Sequence, residues 1–183
     1  MSFTFPRTDK KNPGYEAEQV DAFLARARAQ FTNPVDGGVS AYDVRNTEFD
    51  LVHGGYDPAI VDGAMDKLED SFAARELQRQ KADRGSYAVE DRYSRVVELI
   101  RGRLERPRGQ RFANTGFLLR GYSRKQVDAL CEHITRHLES GVPLAMDDVR
   151  RVVFNVKRLG YVEAQVDAFI DRVIEALQIE QNR

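Results

Sequence analysis

The chain has 183 residues, 42% apolar and 31% charged, which suits one domain or two small ones and favours thin helices with wide wetted faces over one thick core. Its 28 basic and 29 acidic residues leave a net charge of -1, which argues against a dedicated nucleic-acid binder, and the single cysteine, Cys131, excludes an intrachain disulfide framework. No run of about 18 apolar residues occurs, so no spanning helix is expected; Met1 to Gly14 lacks the apolar stretch of a signal peptide, and a cytoplasmic location is expected.

The first predicted element follows Gly14-Tyr15. From Val20-Asp21 onward, Phe23, Leu24, Ala27 and Phe31 lie three, four, seven and eleven positions after Val20, one apolar stripe on an amphipathic helix. Glu16 places negative charge near its start. Pro34, Gly37 and Gly38 punctuate a connection, and Ser40 with Asp43 has capping-box spacing for a short helix through Asp43–Phe49. Gly55-Tyr56 and Val61-Asp62 then repeat the first pattern, with Ala64, Met65, Leu68 and Phe72 at the same offsets. Asp57 can cap this helix, with Pro58 at its first position. The charged stretch from Arg75 to Ser86 reads as a helix extension or a flexible joint.

Val89, Tyr93, Val96, Val97, Ile100 and Leu104 line a further helix, ended by Arg106-Pro107-Arg108-Gly109. A third copy runs from Gly121-Tyr122 through Val127-Asp128 to Leu130, Cys131, Ile134 and Leu138, with Ser123 and Gln126 at capping-box spacing. Gly141 and Pro143 punctuate the next connection, and a short helix is expected over Met146–Phe154. The fourth copy runs from Gly160-Tyr161 through Val166-Asp167 to Phe169, Ile170, Val173 and Leu177, and Val162 offers its helix no side-chain cap.

Four copies of Gly-Tyr-x-x-x-x-Val-Asp mean duplication. Asp43-Val44-Arg45 and Phe49 stand before the second copy as Asp148-Val149-Arg150 and Phe154 stand before the fourth, while Phe5 and Phe112 each lie nine residues before the first and third glycines. The order is type A, type B, linker, type A, type B. The predicted fold is all-α, with two pseudo-symmetric A–B units at 1–82 and 108–183 joined by a linker helix at 83–107. Each A helix can meet a B helix within one chain and bury its stripe, since apolar burial is worth about 25 cal/mol per Å². The glycine before each tyrosine supplies either a special backbone conformation or a close approach that a side chain would block.

No catalytic role, metal or cofactor is expected. His133 and His137 have the spacing of two ligands on one helix face, but they flank the stripe and read as solvated. Asp21, Asp62, Asp128 and Asp167 fall at the first helical turn and read as structural, serving the helix dipole and free backbone N–H groups. There is no phosphate loop, serine elbow or paired-cysteine motif. Arg101, Arg103, Arg106, Arg108 and Arg111 form a local basic cluster, read as a solvated linker rather than a nucleic-acid site.

These residues resemble the DivIVA-domain repeat, whose hallmark is a Gly-Tyr turn followed by Val-Asp and an apolar pair; Gly14 to Leu24 and Gly160 to Ile170 fit it best, and all four copies together cover about two-thirds of the chain. The tandem arrangement is similar to that of the DivIVA-domain repeat proteins of actinobacteria. The resemblance implies a cytoplasmic protein of division or growth sites, at the septum, the pole or the inner face of the membrane. Members of the family are coiled-coil scaffolds that sense curved membrane and recruit protein partners. They touch membrane through an exposed aromatic and a basic residue on a crossed loop just before the Gly-Tyr turn. Here no long heptad follows any repeat, so the helices are coiled-coil-like only over about three turns. Of the loops before the glycines, only Phe117-Leu118-Leu119-Arg120 joins a bulky apolar tip to a cation. That loop forms either an exposed membrane or partner wedge, or packs onto the helices. The expected function is a non-enzymatic scaffold or adaptor acting through protein contacts, and the alternative is peripheral membrane binding. Self-association, including through the linker helix, stays open.

Overall fold

The computed structural model describes residues 4–35 and 37–183. The chain is mostly helical, 61% helix and 9% strand, which is compatible with the expected all-α class but adds four three-residue strands to it. It divides into two compact units, one ending at Arg79 and the other beginning at Gln80.

In the first unit, strand β1 (Pro13–Tyr15) leads into helix α1 (Ala17–Thr32), and helix α2 (Ala41–Arg45) leads through strand β2 (Leu51–His53) to helix α3, which spans Pro58–Arg84. β1 and β2 pair antiparallel, with Gly14 opposite Val52 and Tyr15 opposite Leu51. The anticipated caps form where a short polar side chain can reach back: Asp43 N donates to Ser40 Oγ, Ser40 N to Asp43 Oδ2, and Ala59 N to Asp57 Oδ1 at 2.9 Å. α2 stops at Arg45, short of Phe49, because the chain must extend from there to reach β2. Phe49 packs its ring at 5.5 Å from Tyr15 and 6.1 Å from Phe23. It thereby touches both apolar clusters of the unit, one around Phe23, Ala27, Val44 and Phe72, the other around Val20, Tyr56 and Val61. Arg45, half-buried, forms an ion pair with the buried Glu69 beside the first cluster.

The second unit begins with residues of α3 and continues, after Gly85 at φ 80, into helix α4 (Ser86–Leu104). The segment read from sequence as a flexible joint or a helix extension is thus helix up to Arg84. Strand β3 (Arg120–Tyr122), helix α5 (Arg124–Ser140), helix α6 (Met146–Arg150), strand β4 (Val156–Arg158) and helix α7 (Glu163–Asn182) complete the unit. β3 and β4 pair antiparallel, with Gly121 opposite Lys157 and Arg120 opposite Arg158.

α4, expected as a linker helix, lies inside this unit. Its Val96, Val97, Ile100 and Leu104 join one continuous core with Cys131 and Ile134 of α5 and Val173, Ile174 and Leu177 of α7. A stripe of five or six apolar residues on a 19-residue helix is too much oil to leave in water, so the helix packs on its neighbours rather than spanning between them.

Arg92 on α4 and Glu175 on α7 tie these helices at 2.7 Å, and Arg172 reaches the other carboxylate oxygen at 2.8 Å. Burial acts to raise the Glu175 pKa, but the hydrogen bonds from Arg92 and Arg172 outweigh it and the net shift is downward. A depressed carboxylate pKa stabilises the fold above the ordinary glutamate range and loses that contribution as pH falls through the folded-state value. Unfolding by urea should therefore become easier as pH drops from about 5 toward 3, and Glu175→Gln should flatten that slope. An unchanged slope in the variant would remove Glu175 from the account.

Candidate functional site

The Gly-Tyr segments of each unit meet in a backbone crossing. Tyr15 and Tyr56 exchange N–H···O=C bonds of 2.9 and 2.8 Å, and Tyr122 and Tyr161 exchange bonds of 3.0 and 2.9 Å. The chains cross where the glycines lie. A β-carbon on Gly14 would sit 2.6 Å from Tyr56 O, and one on Gly55, Gly121 or Gly160 would meet a facing backbone oxygen closer still. None of the four has a positive φ, so of the two roles open from sequence, close approach is the one these glycines serve.

The tyrosines and aspartates pair across the crossing. Tyr56 Oη donates to Asp21 at 3.2 Å, and Tyr161 Oη donates to Asp128 at 3.0 Å. Tyr15 hydrogen-bonds Asp62, and Tyr122 hydrogen-bonds Asp167. This differs from the role expected at the first helical turn. Each aspartate is the fifth residue of its helix, beyond the free N–H groups, and its partner is a hydroxyl from the other copy of the motif. Burial raises the pKa of all four tyrosines, Tyr161 to about 12. Asp167 is also raised, by burial first, with the Tyr122 hydrogen bond opposing.

The aromatic leaders lock the tyrosines from outside. Phe5 stands edge-on to Tyr56 at 5.4 Å and Phe112 to Tyr161 at 5.1 Å, while Phe49 and Phe154 pack on Tyr15 and Tyr122. Val20, Val61, Val127 and Val166 are each at most 1% exposed beneath them.

A set of glutamines escaped the sequence reading. Gln19 Oε1 accepts from Asp50 N at 2.9 Å, Gln126 Oε1 from Asn155 N at 2.8 Å and Gln165 Oε1 from Ala113 N at 3.0 Å. Each glutamine immediately precedes the valine of its motif; the second copy has Ile60 there. The backbone that Ile60 would answer belongs to Pro6, which matches Ala113 in position after the leader phenylalanine and has no N–H to satisfy. The signal was a fifth shared position, Gln before Val. Ser123, expected to cap α5, makes no side-chain cap bond, because the Gln126 N–H that would reach its hydroxyl donates to Ser123 O at 3.0 Å and the Gln126 side chain is taken by Asn155 N.

The third-copy crossing carries extra buried polar groups. Asp128 also accepts from Gly109 N at 2.8 Å and from the Arg111 guanidinium, whose Nη1 lies 3.1 Å from Asp128 O. Of the basic cluster seen in the sequence, Arg111 is thus buried, Arg103 donates to Arg111 O at 3.0 Å over the Phe112 ring, and Arg108 pairs with Glu132. Cys131 is fully buried, and desolvation pushes its thiol up to about 12, so it is inert in the folded chain. His133 and His137, read as solvated, are instead turned to the loop after α5. His133 Nε2 lies 3.2 Å from Pro143 O, and His137 faces Val142 O at 2.9 Å and Glu180 at 3.0 Å. Among the described residues no three potential metal ligands gather.

The Phe117-to-Arg120 turn stands away from the helices. Phe117 is 69%, Leu118 88% and Leu119 64% exposed, and Arg120 is exposed as well. β4, paired to this turn's strand, adds exposed Lys157 and Arg158. Leu159, which follows them, is exposed and has φ 54, where the first unit has Gly54 at φ 70. A leucine in that left-handed region is strained by about 1–2 kcal/mol. Leu159→Gly should raise the thermal midpoint of the second unit by a few degrees in a melt, because the relieved strain exceeds the roughly 0.5–1 kcal/mol of unfolded-chain entropy that glycine adds and each net kcal/mol shifts a unit of about 100 residues by about 4–8 °C. A lowered midpoint would mean that the leucine side chain, exposed as it is, packs productively.

No protein-family model matches the chain, and no curated protein or solved structure matches it. No helix of the described residues is long and apolar enough to cross a membrane.

Proposed function

We propose that the chain is a non-enzymatic scaffold or adaptor of the bacterial cell-division or polar-growth machinery, acting in the cytoplasm through protein contacts. In this reading the two units are pseudo-symmetric A–B pairs of one DivIVA-like repeat, each pair reproducing inside one polypeptide what two copies of a scaffold would otherwise form. The observation that carries it is the reciprocal crossing. In each unit every distinctive polar group of the motif is engaged in holding its counterpart, Tyr56 on Asp21 and Tyr161 on Asp128 among them, so the motif serves assembly rather than chemistry. Affinity capture of the tagged full chain from cells that make it, with imaging of a fluorescent fusion, tests the reading. Enrichment of division or envelope-growth proteins and a septal or polar focus are expected. Diffuse signal through the cell cycle with neither class enriched would sink it.

The second reading is peripheral membrane binding. It is favoured by the turn at Phe117, Leu118 and Leu119, three large apolar side chains held in water beside Arg120, Lys157 and Arg158. Oily tips flanked by cations suit an anionic lipid surface, each cation near the surface adding about 1 kcal/mol. Sedimentation with phosphatidylglycerol vesicles should pull down the wild type and lose most of it on Phe117→Ala, whose exposure makes the change harmless to the fold. Equal sedimentation of both proteins would discard the wedge.

A further inference from the structure

α4 has a second face that the core does not use. Stepping about 3.6 residues per turn, Asp91, Arg95 and Gly102 fall on the side away from Val89, Val96, Ile100 and Leu104, Leu99 lies on the flank of that side, and Arg106 continues the line just past the helix end. The outward side holds a shallow groove of about 620 Å³ lined by Arg95, Glu98, Leu99, Gly102, Arg103 and Arg106. Leu99 is 65% exposed on it. At its centre, Gly102 occupies a helix interior, where glycine is the poorest former after proline. Beyond its own helix backbone, none of the described residues lies within 4 Å of where its β-carbon would be, and its φ is not positive, so neither packing nor backbone conformation within this fold calls for glycine.

We propose that this face is the contact between two copies of the chain, packed as an antiparallel α4–α4 pair about a two-fold axis between Glu98 and Leu99. The two ends of the face are complementary in charge under that operation, while Glu98 comes beside its own copy next to the axis, at the rim of the contact. Asp91 meets the partner's Arg106, Arg95 lies over the partner's Gly102, and the two Leu99 side chains meet at the axis. The two off-axis relations each occur twice and the Leu99 contact once, as a two-fold contact requires. The charge order along the face, acidic at Asp91 and basic at Arg106, opposes itself in the antiparallel arrangement and would repel in the parallel one. Gly102 gains a reason: it leaves room for the partner's arginine stem and lets the helices approach. The Asp91–Arg95 pair of 2.6 Å is exposed and can exchange partners at little expense. A 19-residue helix is about 28 Å long, so one face gives a contact at the small end of specific interfaces, and the dimer is a weak one, with a dissociation constant on the order of 10–100 µM.

The test is the weight-average mass of the full chain by sedimentation equilibrium across that concentration range at low salt. It should climb from 20.9 kDa toward about twice that value and stop there, and should fall back as salt shortens electrostatic range from about 10 Å at 0.1 M to about 3 Å at 1 M. Gly102→Gln improves helix propensity, so the fold is kept, and it should weaken the dimer by about tenfold or more. Arg106→Glu should also weaken it, and Asp91→Arg combined with Arg106→Glu should restore it, because the reversed pair is again complementary across the axis. A mass fixed at 20.9 kDa throughout overturns the proposal. So does association that ignores Gly102→Gln, which would place the contact on another surface, or growth past two copies. Capture of division proteins and vesicle binding are separate readouts, so failure here leaves the scaffold and membrane readings to their own tests.

Discussion

Gly121→Ala should lower stability by about 3 kcal/mol or more, one methyl group doing the damage of a deleted core side chain. The new β-carbon would be driven into Tyr161 O, and also to 2.8 Å from the Thr115 side chain. The oxygen cannot retreat, because it accepts the Tyr122 N–H at 3.0 Å and its own residue donates back to Tyr122 O at 2.9 Å. Relief of the clash therefore breaks the crossing, and with it the seat of Tyr161 between Phe112 and Asp128. Gly116→Ala is the control, since beyond its chain neighbours none of the described residues lies within 4 Å of its β-carbon position and no change is expected. Cys131 supplies a local readout, being fully buried in the same unit. Its thiol should react with a disulfide reagent only through opening. At the same temperature the Gly121→Ala chain should be labelled over a hundredfold faster than the wild type if labelling follows the opening equilibrium. Equal midpoints for Gly121→Ala and Gly116→Ala would refute the close-approach account.

Asp128→Ala should cost about 3–5 kcal/mol, whereas Asp21→Ala, at the matching place in the first unit, should cost about 1 kcal/mol. The motif residue is the same; its surroundings are not. Asp128 is 7% exposed and holds the Tyr161 hydroxyl, the Gly109 N–H and the Arg111 guanidinium, itself 7% exposed. Removing the carboxylate leaves a buried cation without its counter-charge. Asp21 is exposed, so water can take over when Tyr56 loses it. Chemical denaturation of the two variants gives the comparison directly, and similar losses for both would show that the burial of Asp128 and Arg111 is not what sets the energy.

Much of the helical content was legible because its signals are local. A stripe at three, four, seven and eleven positions reports which face will be dry: α1, α3, α5 and α7 all bury the predicted valine, and the followers are buried or half-buried except Phe31, which stands 42% exposed at the end of α1. Ser40, Asp43 and Asp57 announced their caps because a cap is settled within a few residues. The strands were not legible. β2 and β4 are three exposed residues each, with no alternating dry face to mark them, and they exist because the crossing draws their backbones to β1 and β3. The exposed state of Phe117 was undecided for a similar reason: an oily tip reads the same whether it is covered or bare.

By itself the sequence determined that one motif was used four times, that each use starts an amphipathic helix, and where most of the inward-facing side chains lie, since these follow from spacing along a single segment. What the motif's polar residues are for was decided only by the tertiary structure. The partner of Asp21 lies 35 residues away and that of Asp128 lies 33 away, and the oxygen that forbids a side chain on Gly121 belongs to Tyr161. Likewise α4 looked like a connector until the apolar faces of α5 and α7 were there to receive it. Burial and close approach are properties of two segments together, and a sequence read one segment at a time contains only half of each.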